Sequence, residues 1–380
     1  MTKTPAYTSP WLTSHGVFPA EGIDAGVAAH YGEPLKEQRR LAMGAEKFVV
    51  ADYSHLGVVT VAGPDRHSWL TTISSQVLTG MSAGDSREFL LLSPQGRIEY
   101  APLAVDDGER LWLIVEPGQA PLLVDYLNSM KFMLRVEIED VSDRYAVLCS
   151  VEDPRTADKA PVELASAVVW EDPWRDICPG GLSYAADADD HPGRDFRRFF
   201  SIVDRAVMPA LADQVSLAGI WAAEALRVEA WRPRFGREVD EKSIPHELDL
   251  MRTAVHLNKG CYKGQETIAR VHNLGHPPRR LVFLDLDGSE HTLPPAGSLV
   301  YAGTKKVGAV TSSAQHWEAG PIALAVIKRS VDPQAQLRVV EPSQSDDSQP
   351  AEYAAAQTVI VSPEAGQVAG RRTMGDFLRR

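Results

Sequence analysis

The chain has few cysteines, no net positive charge and no long apolar run, and each shortage removes a class of explanation. Cys149, Cys178 and Cys261 are the three thiols in 380 residues, with no C-x-x-C pair, so neither a disulfide framework nor a cysteine-rich metal cradle is expected. Asp and Glu outnumber Lys and Arg by 51 to 39, a formal net charge of −12, which argues against generic nucleic-acid binding because that needs a basic footprint. No apolar stretch approaches bilayer-spanning length, and Met1 is followed by polar and proline residues. A cytoplasmic protein with no membrane role is therefore expected. G-x-G-x-x-G, a P-loop and repeats of 20 to 50 residues are also missing, which removes dinucleotide-binding, P-loop and solenoid readings.

What is there is long enough for two or three cores. Residues 1–29 read as an irregular arm rich in Gly, Pro and Ala, followed by a helix-like stretch to Ala45. Phe48-Val49-Val50 and Gly57 to Val61 suggest strands, Gly63-Pro64-Asp65 a turn that caps a helix, and Asp106-Asp107-Gly108-Glu109 a hairpin turn between further strands. Pro121 to Met130 reads as an amphipathic helix and Tyr145 to Val151 as a strand. Residues 153–195 are interrupted by prolines and the acidic run Asp187 to Asp190. Helical period returns at Ala222 to Ala230, and the chain after Pro277-Pro278 reads as a small all-β unit. Strands and helices mixed in antiparallel-looking hairpins argue for α+β, not a doubly wound parallel sheet.

The most informative stretch is Lys259-Gly260-Cys261-Tyr262-Lys263-Gly264-Gln265-Glu266. Glycine on either side of a thiol permits positive φ and close approach. Flanking ammonium groups and the first turn of a following helix favour the thiolate. Residue physics leaves a functional cysteine and a tight turn with an incidental thiol both open. Arg227, Arg232, Arg234, Arg237, Lys259, Lys263 and Arg270 surround this region as either a local basic cleft or a solvated face. Cys149, in Ala146-Val147-Leu148-Cys149, reads as core, and Cys178 as a loop thiol with no lysine neighbour. His272 and His276 have metal-ligand spacing, but Gly275, Pro277 and Pro278 break the helix they would need, so no metal site is expected.

The octapeptide resembles the K-G-C-Y-x-G-Q-E signature of the YgfZ family, folate-binding proteins related to the T-protein (aminomethyltransferase) of the glycine cleavage system. Gly219 to Ala230 resembles that superfamily's G-x-x-A-x-[DE]-x-L-R-[LV]-E-A segment, and Phe235 to Glu241 its [YF]-G-x-E-[MV]-D-E. Asp52 to Gly57 is similar to D-x-S-H-[ML]-G, and Val61 to Asp65 to V-x-G-x-D. The resemblance spans about residues 30 to 330. It implies a three-domain ring with a central folate cleft and a C-terminal all-β, barrel-like domain. On it, residues 1–46 plus 145–276 form a discontinuous first domain, 47–144 a second, 279–342 the β domain, and 343–380 a partly disordered linker and tail.

The resemblance also implies a tetrahydrofolate site. A pterin presents a donor edge that one carboxylate can accept in a paired fashion, and Glu229 stands at the glutamate with that role. Arg227, Gln265, Tyr262 and Trp221 are the further expected contacts, Gln265 replacing an arginine of the T-protein. Cys261 is expected as the functional thiol with Lys259 and Lys263 beside it. The T-protein's catalytic aspartate, in G-G-[VI]-x-D-D, meets Gly96-Arg97-Ile98-Glu99-Tyr100-Ala101 here. Neither aligned position is acidic, although Glu99 is one residue away, and the T-N-D segment is altered to Ser74-Ser75-Gln76. A tetrahydrofolate-binding accessory protein for iron-sulfur enzymes is thus expected ahead of a folate-dependent aminomethyltransferase or other one-carbon transferase. A tRNA-modification partner is a third class.

Overall fold

A computed structural model describes residues 7–13, 16–289, 292–342 and 350–367. Its first five-stranded sheet runs Val168–Glu171, Phe199–Asp204, Tyr145–Ser150, Val49–Asp52, Ser216–Ala218. All neighbours are antiparallel except the last pair. The central strands are apolar on both faces because both are covered: Cys149 is 2% exposed opposite Phe200 and Ala51, the core position expected for it. The second five-stranded sheet, wholly antiparallel, runs Glu137–Asp140, Gly57–Ala62, Arg110–Val115, Leu103–Asp106, Ser86–Glu88. The helix Gln119–Met130 packs on it through Leu123 and Leu127.

The C-terminal part is a closed six-stranded barrel, in the order Arg279–Leu286, Gly320–Lys328, Lys305–His316, Leu299–Ala302, Leu337–Val340, Glu352–Val359. The α+β class with a C-terminal barrel is therefore the observed architecture. Two boundaries differ from expectation. Glu352–Val359 falls in the segment read as linker and tail, yet it pairs with both Leu337–Val340 and Arg279–Leu286 and closes the barrel. Its alanines have low β-propensity, but Tyr353 and Ala355 alternate inward, and burial decides the strand. The residues 343–349 of the expected linker lie outside the described ones. Val49–Asp52, grouped in sequence with the second unit, is instead a strand of the first sheet, and the chain crosses between sheets at residues 53–56.

The arm before residue 30 is more ordered than its composition suggests. Phe18–Pro19 pairs with Ala28–His30, and Trp11 is buried with its indole N–H donating to Met208 O at 2.8 Å. Gly219 opens the helix Ile220–Glu229, and a Cβ there would stand 2.0 Å from Ala29 O, so only glycine lets this helix lie against the arm. The Gly219 amide donates to Glu37 Oε2 at 2.9 Å. Among the described residues no helix is long and apolar enough to cross a membrane.

Candidate functional site

The octapeptide forms a loop pinned from several sides. Gly264 has φ +86°, and a Cβ on it would come within 2.6 Å of Ser93 O, so the loop presses on the turn 93–96. Gly260 has neither a positive φ nor any atom within 4 Å of an added Cβ, so glycine is demanded on one side of the thiol only. The helix Gln265–Leu274 begins immediately after Gly264, as expected. Lys259 Nζ donates to the carbonyls of Thr71 and Ser74 and lies 4.5 Å from the Tyr262 ring centroid. Burial lowers the Lys259 ammonium to about 8 and raises the Tyr262 phenol to about 12. Lys263 Nζ donates to Glu99 Oε2 at 3.0 Å. Gln265 Nε2 donates to Lys259 O at 3.5 Å. Lys263 is thus paired with a carboxylate, while Lys259 keeps its charge and gives its N–H groups to two backbone carbonyls. Cys261 itself stands exposed.

Ser75 and Gln76, in the altered T-N-D segment, tie the neighbouring chain down. Ser75 Oγ donates to Ala254 O at 2.5 Å and Gln76 Nε2 to Thr253 O at 2.8 Å. His55 lies buried 3.1 Å from Asp24 Oδ1. His272 Nδ1 is 2.9 Å from the Tyr184 hydroxyl, while His276 Nδ1 is 2.8 Å from Ala365 O.

Between the two sheets lies a cavity of about 60 Å³, lined by Ala101, Leu103, Ile114, Glu116, Arg232 and Arg234 among others. Its walls are ion pairs. Arg232 Nη2 is 2.6 Å from Glu88 and its Nε 3.2 Å from Asp172, which also meets Arg198 at 2.6 Å. Arg234 reaches Glu116 and Asp24 at 2.8 Å and Glu224 at 3.3 Å. Burial pushes Asp172 up, but Arg232 and Arg198 outweigh it and hold the carboxyl below its ordinary value. Glu224 is likewise held at about 2 against its burial by Arg227 and Arg234. Of the cations read as either a basic cleft or a solvated face, Arg227, Arg232, Arg234 and Arg237 are each paired with a carboxylate. Ala101 is on the cavity wall, Tyr100 donates to Leu122 O at 3.3 Å, and Glu99 is held by Lys263.

A second, open cleft of about 880 Å³ lies between the arm, the helix Ile220–Glu229 and the barrel strand Lys305–His316. Trp221 and Arg227 line it. Trp221 is 55% exposed. Arg227 is buried, with Nη1 at 2.7 Å from Arg232 O and Nη2 at 2.7 Å from Ser312 Oγ. The expected folate contacts are therefore not one group. Trp221 and Arg227 face the cleft, Tyr262 and Gln265 belong to the thiol loop, and Glu229 lines neither cavity: its carboxylate is 3.2 Å from His316 Nε2. Glu224 was missed in sequence, although its spacing of three from both Trp221 and Arg227 puts it on their helix face.

No family model matches the chain. It is 25% identical over 329 residues to an aminomethyltransferase of Symbiobacterium thermophilum, covering 82% of this chain and 85% of that one. An aminomethyltransferase of Corynebacterium aurimucosum is 26% identical over 328 residues, with 81% and 86% covered. In structure the chain matches the glycine cleavage system aminomethyltransferase T of Bartonella henselae, with a TM-score of 0.67 at 17% identity over 93% of this chain and 94% of that one. The fold is that of the glycine-cleavage aminomethyltransferases. The five-stranded sheets and closing barrel described above are this fold's layout in the present chain, and the octapeptide loop is carried on the segment that joins the first sheet to the barrel.

Proposed function

We propose that this protein binds tetrahydrofolate and supports iron-sulfur enzymes through Cys261, without itself carrying out aminomethyl transfer. The observation that carries this reading is the placement of residues 99–101. Ala101 presents a methyl group to the central cavity, while Glu99 is committed to Lys263. Methylene transfer to folate needs a positioned acid or base, and the acids that do line the cavity, Glu88 and Glu116, are each tied to an arginine. An exposed thiol on a pinned loop fits a group that meets a partner or a metal fragment, since a soft thiolate is both nucleophile and ligand. The iron-sulfur role itself rests on the octapeptide's resemblance to the YgfZ signature.

A one-carbon transferase is the competing reading, favoured by relatives that are named aminomethyltransferase over about four fifths of the chain. Methylene transfer from an aminomethylated lipoyl carrier protein to tetrahydrofolate separates the two. We expect no turnover. Turnover comparable with that of a glycine-cleavage enzyme would establish the transferase. Complementation of a strain lacking this protein, scored by the activity of a [4Fe-4S] enzyme, tests the other half, and Cys261→Ser is expected to fail there.

A further inference from the structure

We infer that the lateral cleft, the open one between the arm, the helix Ile220–Glu229 and the barrel, binds an organic cation whose ammonium group is carried on a flat apolar body. The inference needs neither the folate nor the thiol reading. Among the described residues the cleft shares no lining residue with the central cavity, and no part of the octapeptide lines it. At about 880 Å³ it falls inside the range of roughly 300–1,000 Å³ typical of small-molecule sites.

One wall is aromatic. Pairing of Phe18–Pro19 with Ala28–His30 brings Phe18 onto His30 with ring centroids 4.4 Å apart, and His30 meets Trp221 at 5.0 Å. Phe18 and Trp221 stay about half exposed, and Leu35 on the same cleft is 43% exposed. Large apolar side chains left open together in a concave site point to a ligand that covers them.

The charges decide the sign of that ligand. The cleft is lined by the carboxylates Glu21, Asp24 and Glu224 and by the guanidinium groups of Arg227 and Arg237. Asp24 is held by Arg234 and Arg237, and Glu224 by Arg227 and Arg234. Arg227 is shared further with Glu238 at 3.0 Å. Glu21, exposed on the arm three residues after Phe18, makes no cap to the turn that follows it, and among the described residues it has no ion pair. The lining charge left without a counterion is therefore negative. A carboxylate on an aromatic wall favours a cation twice, by accepting charge-assisted hydrogen bonds from its N–H groups and through the negative faces of the rings. An anion would meet Glu21 and find both guanidinium groups already engaged.

Calorimetric titration of the full chain with tryptamine near pH 7, where its alkylammonium is charged as that of lysine is, tests this. A Kd of about 1 mM or tighter is expected, the range open to a ligand of this size. Indole-3-acetate, with a similar ring system and the opposite charge, is expected to bind at least about tenfold more weakly. Glu21→Gln and Trp221→Ala are each expected to weaken tryptamine binding about tenfold, the usual scale for a lost charge-assisted pair or stacking platform. Both side chains are exposed, so the variants should fold, which melting curves check. Phe132→Ala, which removes an 85% exposed ring outside the cleft, is expected to bind like the wild type. No uptake of tryptamine up to about 10 mM overturns the proposal. So does equal or tighter binding of indole-3-acetate, which would mean that Arg227 and Arg237 set the sign of the cleft. Wild-type affinity in Glu21→Gln or Trp221→Ala overturns it too, as does an equal loss in Phe132→Ala, which would make the binding a general property of exposed rings.

Discussion

The helix Ile220–Glu229 lines the lateral cleft and the segment that follows it lines the central cavity, yet the cavity is closed by charge and the cleft is left open beside aromatics. Arg232 and Arg234 leave the helix's C-terminal end and enter the space between the sheets, where Glu88, Glu116 and Asp172 meet them. Trp221, near the start of the helix, turns outward instead and adds to a wall begun by Phe18 and His30. The lesson is that a shared fold fixes where the backbone goes but not which gap stays empty. A few long side chains with partners decide that. In this chain the charged residues act as packing material between the sheets, and the larger open space lies beside the aromatic side chains.

The largest effect should come from breaking the closed region. Arg232→Ala leaves Glu88 and Asp172 buried without their shared cation and is expected to cost about 3–5 kcal/mol, read from denaturant unfolding. A cost below about 1 kcal/mol would mean that the centre is wet and the pairs are not what closes it.

Acid should also weaken the fold. Burial lowers both His191 and His246 to about 3, His191 also facing Arg252 and Arg194. The unfolded chain takes up protons near pH 6.5 that the folded one refuses, so this stability is complete above about 6.5 and is lost as pH falls towards 3. Asp249, raised by burial to about 6, pulls the other way below that value. The two histidines make stability fall as pH drops from 6 towards 4, and Asp249 offsets part of that loss. His246→Gln should flatten the profile, and an unchanged profile would remove the histidines from the account.

The two thiols offer a smaller contrast. Cys149→Ser places a hydroxyl in the core and is expected to cost about 1–3 kcal/mol. Cys261→Ser should stay within about 0.5 kcal/mol of the wild type while abolishing support of iron-sulfur enzymes. Equal melting points for the two variants would contradict the burial described here. Smallest of all, Lys263→Gln should change the rate of Cys261 alkylation by iodoacetamide by about twofold at most, because Glu99 already screens that ammonium. A tenfold slowing would show that Lys263 does act on the thiol.

The sequence carried the α+β class and the thiol loop because both rest on contiguous residues: hairpin spacing in one case, eight consecutive positions in the other. Gly264 was legible as a turn glycine, and Cys149 as a core thiol. What could not be read is what joins residues far apart. Arg232 to Glu88 and Arg234 to Glu116 span 144 and 118 positions, and nothing local marks either carboxylate as a partner. Hence only the fold shows that Arg232 and Arg234 are spent on buried carboxylates. Glu229 and Glu224 lie on one short helix, and only the fold shows that the second faces the cleft and the first faces His316. The closing strand of the barrel was hidden for another reason, since three consecutive alanines acquire strand geometry only from neighbours on both sides.

The nesting of the two sheets has a consequence for synthesis. Every strand of the second sheet lies between Gly57 and Asp140, so that unit is complete while the first sheet still has one strand, Val49–Asp52, and waits for Ser216–Ala218. The barrel waits longest, because Arg279–Leu286 keeps an open edge until Glu352–Val359 arrives. A chain emerging from the ribosome therefore finishes the second sheet first, then the first sheet, and covers the barrel's open edge only once Glu352–Val359 has been made.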